Sequence, residues 1–424
     1  MNRTDTNYQL YINILKEELI PAMGCTEPIC LAYAAAKARQ ILGEIPDRVE
    51  VLASGNIIKN VKSVIVPNTN GMKGIKAAAA VGIIAGDPDK ELQVIANVTA
   101  EQKAETERFL ATTPITVKHV NCQEQLDVTI IEYKGEHHAD VRISGFHTNI
   151  VTIQRDDEVL FRCESMNRPN QKLTDRSCLS IAGIVDFADS LDINDIKDII
   201  GRQLAYNKAI SDEGLKNNWG ANIGKTLLKE YGNDVKIRAK ARAAAGSDAR
   251  MNGCELPVVI NSGSGNQGLT VSMPVLTYAE EYNIDEDRLY RAVVVSNLTA
   301  IHQKTRIGRL SAYCGAVSAG CAAGVGIAYL LGESLETIEQ TLSNAVVTVS
   351  GIICDGAKSS CAAKIAASVD AGILGYTMSK NGQRFEAGDG IVGNDIEETI
   401  ENVGQLASKG MRDTDTEIIS IMTK

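Results

Sequence analysis

Apolar positions recur at i, i+3 and i+4 along most of this chain, and the stretches that break the rhythm are few. Residues 7–19 predict an amphipathic helix ended by Pro21. A glycine-containing turn, Gly24-Cys25-Thr26-Glu27-Pro28, leads into an Ala-rich helical stretch over 29–42. Thr26 is the expected N-cap, with Pro28 in the first turn and Cys25 just before the helix start. Two β-branched runs, 49–52 and 61–66, flank Ser54-Gly55-Asn56, a turn cluster occupies 67–71, and 72–85 predicts another Ala-rich helix.

The pattern changes near residue 91. Residues 92–98 read as strand-like and 100–112 as a charged helix, and alternation predicts strands at 115–120, 126–133, 138–144 and 149–154. From 176 onward the pattern is helical again, with one strand-like interruption at 257–260. The expected fold is mainly α: an Ala/Gly-rich helical domain formed by 1–90 and 164–424, with a smaller α+β domain, 91–163, inserted in the N-terminal half. Four histidines fall in that insert: His119, His137, His138 and His147. None pairs with another at helical metal-ligand spacing, so they read as surface histidines rather than zinc ligands, with His137-His138 at a hairpin turn.

Composition narrows the picture. A chain of 424 residues exceeds one ordinary domain. Aromatic residues make up only 4%, so Ala, Val, Ile and Leu must build the cores, and such small side chains let helices approach closely. Net charge is −10, the basic residues are dispersed and no basic run stands out, so no nucleic-acid partner is expected. Asp5, Lys16, Glu17 and Glu18 break up any secretory signal, and the longest apolar stretches, 77–86 and 319–332, fall short of the ~20 residues that span a bilayer. The expectation is a cytoplasmic protein with no membrane partner; its oligomeric state is open, a homodimer being one option. In a reducing compartment the ten cysteines serve packing, catalysis or metal binding rather than disulfides.

Two motifs carry candidate chemistry. Gly263-Ser264-Gly265-Asn266-Gln267-Gly268 fits the G-x-G-x-x-G spacing of dinucleotide sites. Such a site needs a helix to open there, and Pro274 argues against one. The alternatives are a plain glycine-rich turn, or a small anionic site in which backbone N–H groups and Asn266 meet a carboxylate. The second motif is cysteine. Cys314 and Cys321 share one face of a continuous helix but stand ~10 Å apart along it, so Cys321 reads as core. Asp355–Ser360 is a polar loop that can fold Cys354 and Cys361 towards each other, with Cys314 joining if its helix end packs alongside. Spacing alone leaves three readings open: packed core thiols, a zinc site without the usual tight Cys pairs, or a cluster with an open iron.

The chain resembles the L-cysteine desulfidase family, which is related to the α chain of iron–sulfur-dependent L-serine dehydratases. The resemblance runs almost the whole length. It rests on Pro21–Pro28, Gly55-Asn56-Ile57-Ile58-Lys59-Asn60-Val61, Val66-Pro67-Asn68-Thr69, the glycine motif at 263–268, Cys314-Gly315 and Ile353–Cys361. It implies a [4Fe–4S] cluster on Cys314, Cys354 and Cys361, Cys25 as a catalytic residue, and conversion of L-cysteine and water to pyruvate, ammonia and hydrogen sulfide. The chain ends Met422-Thr423-Lys424 and lacks the terminal cysteine that some serine dehydratases place on the fourth iron, which argues against serine as substrate. The 91–163 stretch is also absent from the basic helical chain of those dehydratases.

On this reading Cys25 is the base for the Cα proton, its thiol pKa lowered by the helix N-terminus, with a fourth cluster ligand or a core thiol as alternatives. The substrate zwitterion needs partners, and the candidates are Asn56, Lys59, Asn60, Asn68, Thr69, Asn266, Lys358, Ser359 and Ser360. Lys59 or Lys358 would hold the carboxylate; His302 and Lys304 are outsiders. Competing functions are the same lyase chemistry on L-serine or another β-substituted amino acid, a dinucleotide-dependent oxidoreductase, and an iron–sulfur redox or cysteine sensor, for which no output element is visible.

Overall fold

Alanine and glycine decide how the helices of this chain meet. The structure, a computed structural model, describes residues 1–122, 124–163, 173–308 and 310–423. It is 59% helical, with sixteen α-helices among the described residues. The helices Gly315–Leu330 and Cys361–Lys380 touch backbone to backbone. A Cβ on Gly320 would fall 2.4 Å from the Ser368 carbonyl carbon, and one on Gly324 would fall 2.3 Å from the Gly372 carbonyl oxygen. Residues 320 and 368, then 324 and 372, pair in the same direction along both chains. The two helices are therefore parallel, and both begin at the same end of the contact. Gly324→Ala is expected to destabilise the fold by about 1–3 kcal/mol, because neither backbone can yield to the added methyl; a fall in the thermal unfolding midpoint checks this.

Among the described residues eight strands form two sheets: β1 (Pro21–Met23), β2 (Arg48–Ala53), β3 (Ile115–His119), β4 (Asp127–Lys134), β5 (His137–Ser144), β6 (Ile150–Arg155), β7 (Glu158–Arg162) and β8 (Pro257–Val259). β1 and β8 pair antiparallel as a two-stranded ribbon. The others make one mixed sheet in the order β3-β2-β4-β5-β6-β7, parallel only between β2 and β3. Val128, Ile130, Val141 and Ile143 are buried in its core, and β4 and β5 pack on the helix Thr26–Leu42.

The fold is thus mainly α with a small mixed sheet in the N-terminal half, as the pattern predicts, but the sheet is not made of 91–163 alone. Its second strand comes from 48–53. The expected boundary at 163–164 abuts residues 164–172, which lie outside the described residues, as does Lys424. Two local expectations change. The apolar run at 92–98 is not a strand: it opens as a 3-10 turn, Glu91–Gln93, closed by local bonds such as Gln93 N–H to Lys90 O (2.8 Å). Leu92, Val94 and Ile95 are all buried, so the run packs as a plug rather than alternating. A helix, Gly55–Val61, opens directly after β2, and the run after it makes only the isolated bridge Ile65–Lys73.

The glycine motif also departs from expectation. A helix does open there, Gly265–Tyr282, and it runs through Pro274. Pro274 withholds the N–H that would meet the Thr270 carbonyl, and the Ser296 hydroxyl donates to the neighbouring Val271 carbonyl (2.8 Å), bonding this turn to the helix beside it. Among the described residues no helix is long and apolar enough to cross a membrane.

Candidate active site

The parallel packing of the two glycine-bearing helices places their starts together. Cys314 is the N-cap of one, and Cys361 is the first residue of the other. Cys354 joins them through backbone pairing: Cys314 N–H donates to Ile352 O (3.1 Å) and Cys354 N–H to Ala312 O (2.6 Å), around the bridge between Tyr313 and Ile353. The loop that returns to Cys361 turns at Gly356, at φ +94°, where a Cβ would fall 2.2 Å from the Lys59 carbonyl oxygen; only glycine fits. Cys314, Cys354 and Cys361 line one cavity of about 100 Å³, several times what a single water needs. Burial, and after it the neighbouring Cys354 and Cys361 sulfurs, push the Cys314 thiol up to about 12; burial also raises Cys361. Cys321 is fully buried and does not line this cavity, consistent with a core role.

Cys25, from the N-terminal part of the chain, lines the same cavity. It, not Thr26, is the N-cap of the helix Thr26–Leu42. Thr26 sits inside the first turn, and its hydroxyl donates to Gly263 O (2.8 Å), tying this helix start to the glycine motif. The expected lowering of the Cys25 pKa is reversed. Burial first, and the Glu27 charge second, push the thiol far above its ordinary value, against the opposing pull of Arg250. The thiol donates to Glu27 Oε2 at 3.0 Å. Burial alone would raise Glu27 as well, but the His147 charge, the Cys25 hydrogen bond, a backbone N–H and Arg250 outweigh it and hold the carboxyl below the usual range. Glu27 is thus a buried, ionised acceptor, also bonded by Asn60 Nδ2 (3.0 Å) and Thr26 Oγ1 (3.1 Å). His147, expected on the surface, is buried in the β5–β6 connection, so the sheet contributes charge to this site.

Of the nine residues proposed for substrate, Lys59, Asn60 and Asn266 line the cavity and six do not. Lys59 is bound to Asp415 (2.5 Å), which also accepts from Asn56 Nδ2 (2.9 Å). Asn68 donates to Ile95 O (2.8 Å), tying its turn to the buried 92–98 run, and Thr69 donates to Val66 O (2.6 Å) within the turn. Lys358 pairs with Asp355 (2.8 Å) in its own loop, Ser359 bonds Asn252 Oδ1 (2.9 Å), and Ser360 is the N-cap of the helix at Cys361. His302 is paired with Glu397 (2.6 Å) away from the cavity, whereas Lys304 lines it. The sequence reading passed over Glu27, Gln267 and Arg250, which also line it. Glu27 stood in a quoted motif, two residues from a reactive-cysteine candidate; Arg250 carried no local signal.

Four helices, each ten residues or longer, begin at this cavity, at Cys25, Ser264, Cys314 and Ser360-Cys361, and none has a side-chain cap. Their positive ends favour negative charge between them. Among the described residues no three or more His, Cys, Asp or Glu side chains are grouped to hold a single metal ion. Three soft sulfur donors line this cavity beside helix ends that favour negative charge, a donor set whose chemistry fits a sulfide-rich anionic core.

The cavity thus gathers thiols, a buried carboxylate and cationic side chains inside a mainly helical protein. Comparison with known proteins identifies the group: the serine dehydratase alpha chain family model matches residues 89–420, and the chain belongs to that family. The match contains the three cavity cysteines and Arg250 and begins after Cys25, Glu27, Lys59 and Asn60. Similar proteins cover both parts. A UPF0597 protein of Desulfitobacterium hafniense (strain Y51) is 56% identical over 100% of this chain and 98% of its own length. A UPF0597 protein of Lachnoclostridium phytofermentans is 53% identical over 98% and 99%, and one of Treponema denticola is 47% identical over the full length of both.

Proposed function

We propose that this protein is an iron–sulfur-dependent carbon–sulfur lyase, an L-cysteine desulfidase that forms pyruvate, ammonia and hydrogen sulfide. The observation that supports the reading most is the shared cavity of Cys314, Cys354 and Cys361 with the Cys25–Glu27 pair. Membership of the serine dehydratase alpha chain family supports β-elimination from an amino acid. Cys314, Cys354 and Cys361 would hold a [4Fe–4S] cluster, which would supply Lewis-acid chemistry toward the departing sulfur.

The chain itself moves the proton. Cys25 is a protonated thiol and cannot act as a base unaided; Glu27, ionised and bonded to it, accepts the Sγ proton as the sulfur takes the Cα proton of the substrate. The Cα–H electron pair becomes the Cα=Cβ bond, the Cβ–S bond breaks, and sulfide leaves. Free aminoacrylate then tautomerises and takes up water to give pyruvate and ammonia. Asn60 and Thr26 fix the carboxylate so that Oε2 faces the thiol. The test is turnover by anaerobically purified protein. Sulfide and pyruvate in equal amounts from L-cysteine, at a higher kcat/KM than pyruvate from L-serine, is the expected result. Preference for L-serine would contradict the substrate, and turnover of neither would contradict the lyase reading.

A further inference from the structure

The bulkiest fully buried side chain of the described residues is a cation that no acid of the chain bonds directly, although it lies within electrostatic reach of Glu27. Arg250, near the end of the helix Val235–Met251, is 2% exposed, makes no hydrogen bond or ion pair, and has a buried Nε with no acceptor. A buried charge with no hydrogen-bond acceptor is costly. The chain meets that cost elsewhere by pairing: Lys59 with Asp415, Arg176 with Glu17 and Glu18, Arg242 with Glu280. Arg250 is the exception, and it lines the cysteine cavity.

The glycine motif is shaped around it. A Cβ on Gly265 would fall 2.4 Å from Arg250 Nε and 2.8 Å from Cζ, so the guanidinium lies against the first residue of the helix Gly265–Tyr282. Asn266 and Gln267, next along that helix and in the same cavity, each hold a buried amide oxygen, Oδ1 and Oε1, with no donor. One wall thus presents a guanidinium fork and a helix N-terminus, both seeking an anion, beside two acceptors seeking N–H groups. A molecule with a carboxylate and an ammonium on one carbon satisfies all of them.

We infer that Arg250 anchors the α-carboxylate of the substrate, with Asn266 and Gln267 receiving its ammonium, so that the site selects free α-amino acids. This rests on the lyase reading and names its recognition element. Lys59 and Lys358, the residues expected to hold the carboxylate, are each occupied by an aspartate of this chain. Arginine suits the duty because its planar fork meets both carboxylate oxygens at once.

The test uses Arg250→Gln and Arg250→Lys in the intact protein, with two readouts: kcat and KM for L-cysteine, and the dissociation constant of L-alanine, which has the amino and carboxylate groups but no leaving group. Arg250→Gln is expected to raise the KM and the L-alanine Kd by about 10²-fold or more, with kcat changed far less. Arg250→Lys is expected to fall between, and it serves alone if the glutamine variant does not fold. L-alanine binding within about threefold of wild type in the folded variants would overturn the assignment, as would failure of wild type to bind L-alanine at all. If wild type binds L-alanine through Arg250 yet turns over neither L-cysteine nor L-serine, the lyase reading fails and the anchor stands.

Discussion

Alanine in place of Cys354 is expected to leave a folded protein that carries no cluster and releases no measurable sulfide from L-cysteine. The Cys354 side chain is half-buried, and what holds this segment is backbone: the Cys354 N–H bond to Ala312 O and the Tyr313–Ile353 bridge. Neither needs the sulfur, so circular dichroism and the thermal midpoint should change little. The expected ligand set falls from three thiols to two, and a four-iron core held by three cysteines would already lack one protein ligand. Cys321→Ala is the matched control: it removes a fully buried thiol from the adjoining helix but leaves the trio intact. It should lower stability while keeping iron and turnover. Equal iron content in the two variants would remove Cys354 from the ligand set.

Replacing Glu27 with glutamine is expected to lower kcat by about 10²–10⁴-fold while the iron content stays that of wild type. The amide keeps the shape and can still bond Asn60 and Thr26, but it cannot accept the Cys25 proton. The thiol, which burial holds far above its ordinary pKa, then has nowhere to send it. Cys25→Ala should cost a similar factor, and the double variant should be little worse than the worse single one, because two residues acting as one relay do not lose independently. Steady-state kinetics on the three proteins checks this. Additive losses would separate the two residues, and an unchanged kcat in Glu27→Gln would leave Cys25 without its acceptor.

Much of this was legible in the chain, for identifiable reasons. The Ala- and Gly-rich helices announced close packing because small residues have few other uses in such numbers, and Gly320, Gly324 and Gly372 bear that out. The loop at 355–360 was visible from its polarity and Asp-Gly turn, and Gly356 shows the geometry behind it. Tertiary partners were not legible. Nothing local distinguishes the lysines at 59 and 358 from a free cation; their aspartate partners lie 356 residues away in one case and three in the other. Arg250 resembles any basic residue near a helix end until Gly265 is found against it. The helix N-terminus misled for Cys25 because full burial and a carboxylate two residues away outweigh the helix end. Pro274 misled because a proline removes one N–H donor without ending a helix that is buried among its neighbours, as Gly265–Tyr282 is.

The most direct test of the whole account is the iron and acid-labile sulfide content of protein purified without oxygen. About four of each per chain, lost on exposure to air together with sulfide release from L-cysteine, is the predicted result. A preparation that holds no iron, or one zinc per chain, and still converts L-cysteine at full rate would contradict it.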